Sequence, residues 1–426
     1  MNAYKTIRSL SAAIAAVLLA AVAAFGSSDK ANGKRFSYTT RSDEARKLVA
    51  RIVQGIESFE GAQQLLPLAQ KMVELDPEFT FGHYYLATFT PPPDNQAHAA
   101  KATELAQKAS DAERRYIEGV FATRAQQHDK AIEIFLDLAR QYPEERMVHM
   151  MIGQVYNVQG KADEAKAAFE RAAQLDSSTA RVHSFLGNIH LLRGEYAKAR
   201  DLFKKSLAKK AEGTAPFIAH YGLAFAYVYE GDMKSALNQL TAYKDEYVRT
   251  GAAANFPPVF IWNSIGRLLL ESGRAEESIE AYEKGYADVP QSSMPEDQKK
   301  IWLGRLHHGR GRALAKMGKH EEAWKEAELI KKMIDEGGEQ GKQFMPAYHY
   351  IAGYIKLESR DYAKAVEHLK QADMTDPFHK LLLARAYEKL GDQENAQKLY
   401  KEIAGFNQVT MERALSYTEA KKKLKG

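Results

Sequence analysis

The residue patterns typical of catalytic, metal-binding or nucleotide-binding sites are not found in this sequence. The sequence has no cysteine, which excludes disulfides, thiolate metal sites and a cysteine nucleophile. The stretch His320-Glu321-Glu322-Ala323-Trp324 begins like the zinc motif HExxH but lacks the second histidine. Gly309-Arg310-Gly311 follows no predicted strand, so it does not open a nucleotide-binding turn. The sequence therefore predicts no catalytic residue, no metal ligand and no cofactor, and hence a protein that is not an enzyme.

The overall composition argues against two further classes of protein. Of the 426 residues, 45% are hydrophobic and 27% charged, which gives enough apolar surface to offset the ordering entropy of folding. The 60 basic and 55 acidic residues leave a net charge of +5, which is too balanced for the basic stripe of a nucleic-acid-binding protein. We therefore expect a folded protein that does not bind nucleic acid.

A period of 34 residues runs through the middle of the chain. Three residue types recur at this interval: Ala131, Ala165 and Ala199; Phe135, Phe169 and Phe203; Gly119, Gly153 and Gly187. In the clearest copy, residues 147–178, Gly160 separates two predicted helices. Small residues at Gly153 and Ala165 let these helices approach closely, and Phe169 fills the groove between them. The period therefore predicts stacked helical hairpins that position any functional residues.

This pattern resembles the tetratricopeptide repeat (TPR) family, which has an aromatic residue, Leu-Gly, Tyr, Gly, Ala, a second aromatic residue, Ala and Pro at fixed spacing. About ten copies in register lie between Ser42 and Phe406. The resemblance implies an all-α fold, an α-solenoid of about ten TPR helical hairpins with a C-terminal capping helix. The predicted segments are a signal peptide or uncleaved anchor over 1–26, a flexible tether over 27–41, degenerate hairpins over 42–112, regular repeats over 113–210, repeats with longer connections over 211–406, and the capping helix over 407–426.

The resemblance also implies where a partner binds. In TPR arrays the first helix of each hairpin lines a concave groove, and in this chain the groove positions become aromatic and cationic from residue 217. Arginine pairs bidentately with carboxylates, and aromatic rings are low-entropy anchors, so the groove suits an acidic peptide, extended or helical. The predicted partner-binding residues are Tyr221, Phe225, Tyr229, Asn263, Arg267, Arg305, His308, Arg312, Tyr350, Tyr354 and Arg385. Two alternatives stay open: these side chains pack against neighbouring helices, or the partner contacts convex edges or the loop at Pro91–Pro93.

Six histidines occupy the repeat position where the family usually has its first aromatic residue: His83, His149, His183, His220, His307 and His349. One interpretation is a metal-binding or pH-sensing ladder. The other is that imidazole serves as a flat, half-buried packing group whose N–H bonds to the backbone. Equivalent positions in adjacent repeats lie about 8–10 Å apart, whereas zinc needs ligands at about 2 Å, so neighbours cannot share one ion. Packing is therefore favoured, and its consequence is an array that acid can loosen.

The N-terminus predicts export from the cytoplasm. Lys5 and Arg8 precede an uncharged run over residues 10–24 that ends in small residues, which is typical of a secretory signal cleaved after Ala23 or Ala24. The alternative is an uncleaved anchor through residues 10–25, although a spanning helix needs about 20 apolar residues. We expect a periplasmic or secreted protein, anchored in the membrane if the segment is not cleaved.

The predicted function follows from these features. The favoured hypothesis is a non-enzymatic interaction scaffold, exported from the cytoplasm, that binds a peptide or protein segment in its concave groove. The alternative hypothesis is a membrane-tethered structural or assembly subunit of an envelope complex, docked through its edges.

Overall fold

Helical hairpins make up the protein. The computed structural model describes residues 35–425, and every regular element within that range is a helix or a helical turn. Apart from short helical turns at Ala252–Ala254, Gly338–Gly341 and Lys342–Phe344, twenty helices pair in chain order into ten hairpins, and one more helix follows them. The helices are α1 (Asp43–Glu57), α2 (Ala62–Leu75), α3 (Thr80–Phe89), α4 (Asp94–Ala106), α5 (Asp111–Arg124), α6 (His128–Gln141), α7 (Arg146–Val158), α8 (Ala162–Leu175), α9 (Ala180–Leu192), α10 (Tyr196–Lys209), α11 (Phe217–Tyr229), α12 (Met233–Arg249), α13 (Val259–Glu271), α14 (Ala275–Tyr286), α15 (Glu296–Lys316), α16 (His320–Glu336), α17 (Met345–Glu358), α18 (Tyr362–Leu369), α19 (Pro377–Leu390), α20 (Gln393–Gly405) and α21 (Met411–Lys423).

The predicted fold class is confirmed. The ten hairpins lie between Ser42 and Phe406, as the repeat count indicated, and the expected C-terminal helix is α21. Ser42 begins the array because its side-chain oxygen accepts the Ala45 N–H at 3.1 Å and so caps α1. The predicted signal peptide lies outside the described residues, as does the tether up to residue 34. No helix between residues 35 and 425 combines the length and the apolar character needed to cross a bilayer.

Close approach of the two helices in a hairpin depends on the repeated glycine. A Cβ atom built on Gly153 would lie 2.5 Å from a ring carbon of Phe169, which is too close for real contacts. The same relation holds between Gly187 and Phe203, at 2.7 Å. Each glycine therefore provides the space that the aromatic ring of the partner helix fills, as the 34-residue pattern predicted.

The described residues divide into two compact units. The N-terminal unit holds residues 35–190 and 201–219, and the C-terminal unit holds residues 191–200 and 220–425. Helices α9, α10 and α11 contribute residues to both units.

In the N-terminal unit, an extended segment lies against the hairpins. Phe36 and Tyr38 are each only 8% exposed, while Ser37 and Thr39 between and after them are exposed. This alternation is the two-residue period of an extended chain that packs along one side. The flexible tether predicted over 27–41 therefore does not include residues 36–41, because two aromatic side chains fix them to the helices.

In the C-terminal unit, α21 does more than cover the last hairpin. It contacts α19 and α20 near its C-terminal end, and near its N-terminal end it contacts the last residues of α9 and α11. The side chain of Arg413, 3% exposed, reaches Tyr229 and the backbone of Leu192, which are 184 and 221 residues away in sequence. Helix α21 therefore crosses the unit from its first residues to its last hairpin.

Candidate functional site

All eleven predicted partner-binding residues lie in the C-terminal unit, on the first helices α11, α13, α15, α17 and α19. We call the surface formed by these residues the inner face. The eleven differ in burial. Six are buried, namely Tyr221, Phe225, Tyr229, Arg312, Tyr350 and Tyr354; four are half-buried, namely Asn263, Arg267, His308 and Arg385; and Arg305 is exposed.

The buried aromatic residues on α11 pack between helices. The hydroxyl of Tyr221 lies 2.8 Å from Ser264 Oγ, and its ring meets that of Phe225 edge-on at 5.6 Å. Burial raises the pKa of the Tyr221 hydroxyl, so it stays protonated in the hydrogen bond. Tyr221 therefore joins α11 to α13, and neither of these buried side chains is a free anchor for a ligand.

Arg312 is likewise part of the internal packing, with only 4% of its surface exposed. Its Nη1 donates to the hydroxyl of Tyr350 at 3.1 Å and its Nη2 to that of Tyr282 at 2.9 Å. One guanidinium thus links α15 to α14 and α17. The sequence placed Arg312 in the groove but did not identify Tyr282, whose ring also lies against Gly309.

The remaining arginines keep part of their surface open. The guanidinium carbon of Arg267 lies 4.1 Å from the centre of the Phe378 ring, a cation–π contact between α13 and α19. Arg305 on α15 lies 5.1 Å above the Trp302 ring by the same measure. Asn263 donates its side-chain N–H to the carbonyl of Val259 on its own helix, at 3.0 Å. The accessible part of the inner face is therefore mainly cationic.

Two imidazoles pack against the ring of Tyr350 at tilted angles on the inner face. The ring centres of His308 and His379 lie 4.5 Å and 3.9 Å from that of Tyr350. Burial, with the nearby charge of Arg312, moves the pKa of His308 well below its ordinary value. Burial lowers the pKa of His379 to about 4. Both rings are neutral near pH 7, which is compatible with the cationic side chains around them.

Helix α21 brings a carboxylate to Arg385. Arg385 donates from Nε and Nη2 to the two carboxylate oxygens of Glu419, at 2.9 and 2.5 Å. Burial alone would raise the pKa of Glu419, but the hydrogen bonds and charge of Arg385 hold it below its ordinary value. Glu412 lies where its charge acts on Arg267 and Arg305, although burial raises its own pKa. The two carboxylates are seven residues apart, which places them on one side of the helix.

The other end of α21 is held through Arg413. Its Nη1 donates to the hydroxyl of Tyr229, and its guanidinium carbon lies 4.1 Å from the ring centre of Tyr417. Thr418, farther along α21, donates to the carbonyl of Tyr229 at 3.3 Å. At the C-terminal end of α21, Lys423 donates to the two carboxylate oxygens of Glu388 at 2.7 and 2.8 Å. The sequence predicted α21 only as a capping helix. The seven-residue spacing of its glutamates was the signal that it missed.

The N-terminal unit holds the extended segment in a related way. The rings of Phe36 and Tyr38 meet those of Tyr142 and Phe81 edge-on, with 5.0 Å between ring centres in each pair. Three carboxylates at or near helix ends each accept one backbone N–H of the segment: Glu145 from Phe36 at 3.1 Å, Glu113 from Thr39 at 2.9 Å, and Asp76 from Arg41 at 3.0 Å. These carboxylates bind the backbone of an extended peptide, while aromatic pockets bind its alternate side chains.

The repeated histidines support the packing interpretation at two positions. Nε2 of His83 lies 3.1 Å from the carbonyl of Pro77, and Nε2 of His149 lies 3.0 Å from that of Pro143. Burial lowers the pKa of both imidazoles. Across the described range, residues 35–425, no three His, Asp or Glu side chains are grouped so that they could hold a metal ion.

Comparison with known proteins supports the repeat assignment. Two family models described as tetratricopeptide repeat match the chain, one over residues 150–214 and one over residues 261–286 and 380–408. No curated protein matches the sequence significantly.

Several solved structures are similar to parts of this chain at low sequence identity. The chain is similar to a tetratricopeptide repeat protein from Parabacteroides merdae, at 17% identity and a TM-score of 0.48, over 65% of this chain and 98% of that one. It is similar to the type IV pilus biogenesis factor PilW, at 15% identity and a TM-score of 0.40, over 55% of this chain and 98% of that one. It is also similar to a chain of the Cut9–Hcn1 hetero-tetramer of the APC/C, at 13% identity and a TM-score of 0.45, over 85% of this chain and 64% of that one.

Proposed function

The chain is a tetratricopeptide-repeat protein, and we propose that it is a non-enzymatic scaffold, exported from the cytoplasm, that binds a protein partner on the inner face of its C-terminal unit. Proteins of this repeat family generally bind other proteins and generally have no enzymatic activity. Export is supported by the pattern of Lys5, Arg8 and the uncharged run over residues 10–24.

One observation carries the proposal. Arg385 on α19 donates two hydrogen bonds to the carboxylate of Glu419 on α21, a helix that here belongs to the chain itself. The charge of Glu412, on the same side of α21, acts on Arg267 and Arg305 of two other first helices. Planar guanidinium groups with fixed donors bind carboxylates with defined geometry, so the arrangement suits recognition of an acidic segment. The face therefore has the chemistry to bind an acidic protein segment.

A second candidate function is favoured by a different observation. Because α21 already covers part of the inner face, a partner that leaves α21 in place must dock elsewhere, on the outer helices or edges. This is the geometry of a structural or assembly subunit of an envelope complex, tethered through residues 10–25 if the N-terminal segment is not cleaved.

A charge exchange separates the two candidates. The double variant Arg385→Glu/Glu419→Arg keeps an ion pair between α19 and α21 but reverses the charge that an acidic partner meets. The matched control is Lys380→Glu/Glu402→Lys, which reverses a 2.6 Å ion pair between α19 and α20. Full-length proteins are used to capture partners from the native envelope, and bound proteins are identified by mass spectrometry. We expect the first variant to lose the partner and the control to retain it. Retention by both would favour docking through the edges.

The N-terminus of the natural protein provides an independent test. A mature chain that starts near Phe25 agrees with an exported scaffold released from the membrane, and an intact Met1 agrees with a tethered subunit. N-terminal sequencing of protein purified from its own cells distinguishes these outcomes.

A further inference from the structure

We infer that α21 is a displaceable occupant of the inner face, and that the face accepts in its place a partner helix with two carboxylates spaced two turns apart. This inference rests on the proposed function, because it names the chemistry of the partner and the means by which its site is regulated. It follows from how α21 is held, how it is connected, and what its departure would leave behind.

The contacts that hold α21 are mainly polar, and a competing helix with the same polar groups can replace them. Five of its side chains are buried, and three of them, Ala414, Ser416 and Ala420, are small, so each removes little apolar surface from water. The two larger ones are Met411 and Arg413, and Arg413 is held by hydrogen bonds to Tyr229 and to backbone carbonyls. In the ion pair between Arg385 and Glu419, the side chains remain 36% and 31% exposed, and ion pairs of this exposure contribute little because water competes with both groups. Helix α21 is therefore held mainly through polar contacts, whereas a hairpin helix such as α8 buries the large apolar ring of Phe169 completely.

The connection of α21 to the array permits it to leave. Helix α20 ends at Gly405 and α21 begins at Met411, and between them Asn407 and Gln408 are exposed. A short connection of this kind keeps α21 near the face at an effective concentration in the millimolar range. A free helix must compete with that concentration, so binding to the intact chain is weak until α21 is loosened.

The departure of α21 would leave Arg385 without the carboxylate of Glu419 and would remove the charge of Glu412 near Arg267 and Arg305. Arg267 keeps its ion pair with Glu271 at 3.5 Å and its contact with Phe378, and the exposed Arg305 keeps its contact with Trp302. A half-buried cation without a counter-charge, as Arg385 would then be, is unfavourable, which favours an occupant that restores the carboxylate. The positions of Glu412 and Glu419 define that occupant as a helix with acidic residues at i and i+7 on the side that meets the face.

The test uses a fluorescent peptide with the sequence of residues 409–425 and full-length protein. Its affinity is measured by fluorescence anisotropy for the wild-type chain, for the variant Arg413→Ala/Glu419→Ala, and for the control Lys425→Ala, which changes an exposed residue. We expect the double variant to bind the peptide at least tenfold more tightly than the wild-type and control chains. A second peptide with Glu412→Gln and Glu419→Gln should bind the double variant at least tenfold more weakly than the first.

A second form of the experiment covers the case in which the double variant does not fold. A protease site inserted between Asn407 and Gln408 allows the folded full-length chain to be cut, after which α21 is held only by its contacts. Native mass spectrometry should then show exchange of the cut helix for the added peptide. The inference is overturned if the peptide binds neither form, binds wild type and variant equally, or binds equally well without its carboxylates. Partner capture by the intact chain in that case would leave the proposed function standing.

Discussion

Arg385 and Glu419 form a two-pronged ion pair, with Nε to Oε1 at 2.9 Å and Nη2 to Oε2 at 2.5 Å, that fixes α21 to α19. Both nitrogens of one edge of the guanidinium are used, so the pair sets the rotation of α21 as well as its position. The pair is a direct contact between the face predicted from sequence and the helix that occupies it.

We predict that Arg385→Ala lowers the free energy of unfolding of the C-terminal unit by about 1 kcal/mol, since the pair is only partly buried. Urea denaturation of the single variants, Arg385→Ala and Glu419→Ala, and of the double variant gives the coupling energy. A coupling energy indistinguishable from zero would show that the pair does not hold α21.

Because the repeated glycines lie against aromatic rings, we predict that a larger side chain at one of them destabilises the N-terminal unit. Gly153→Leu places atoms where the Phe169 ring lies, because even a Cβ would come within 2.5 Å of it. We expect the N-terminal unit to lose roughly 1–3 kcal/mol or more, as in other overpacked cores. The control is Val158→Leu at the exposed end of the same helix, 48% exposed, which should change little. Hydrogen exchange measured separately for each hairpin checks whether the loss is confined to hairpins near the substitution.

Phe36 should determine whether the extended segment stays on the N-terminal unit. Phe36→Ala removes the ring that packs against Tyr142 and Tyr116, so residues 35–41 should be released for part of the time. We expect cleavage in this segment by a low concentration of chymotrypsin, which can cut at Tyr38, to become at least tenfold faster. Ser37→Ala, which changes an exposed residue, serves as the control. Equal cleavage rates in both variants would contradict the packing role of Phe36.

The pKa of Glu145 predicts that mild acid stabilises the N-terminal unit. Burial raises the pKa of this carboxyl to about 7, above its ordinary value of 4.5, so the folded state binds the proton more tightly. The stabilisation is full below pH 4.5 and is lost as the pH rises through 7. At about 1.36 kcal/mol per pKa unit it amounts to about 3 kcal/mol. Glu145→Gln should remove this dependence in denaturation series between pH 4.5 and 8, and an unchanged dependence would show that another group causes it.

The lowered pKa of His379 predicts that mild acid destabilises the C-terminal unit. Burial lowers its pKa from 6.5 to about 4, so the unfolded chain binds the proton more tightly. Stability is therefore full above pH 6.5 and falls by up to about 3 kcal/mol as the pH approaches 4. His379→Gln should flatten this part of the profile. The measurement is hydrogen exchange in helices α17 and α19 at pH 7 and pH 5, with the intrinsic exchange rates corrected for pH.

The hairpins could be predicted from sequence because their determinants are local. Gly153 and Phe169 lie within one copy of the repeat, so their spacing alone indicates that two helices meet. The same holds for Ser42, which marks the start of the array through a cap three residues long. Local patterns of this type gave the number, type and order of the helices.

The positions of α21 on the C-terminal unit and of the extended segment, residues 36–41, on the N-terminal unit could not be predicted in this way. The contact of Arg413 with Tyr229 spans 184 residues, and that of Phe36 with Glu145 spans 109. Such contacts depend on the small rotation between successive hairpins, summed over many repeats, which no single copy encodes. For the same reason Arg312 was expected to line an open groove, whereas the tyrosines of adjacent hairpins enclose it.

The position of α21 has a consequence for synthesis of the protein. Tyr229 leaves the ribosome long before Arg413, and at 5–20 residues per second the 184 intervening residues take roughly 10–40 s to translate. During that time Tyr229 and the hairpins that follow it are made without α21 to cover them. The inner face of the growing chain therefore lacks its own covering helix until residues 411–423 have been translated.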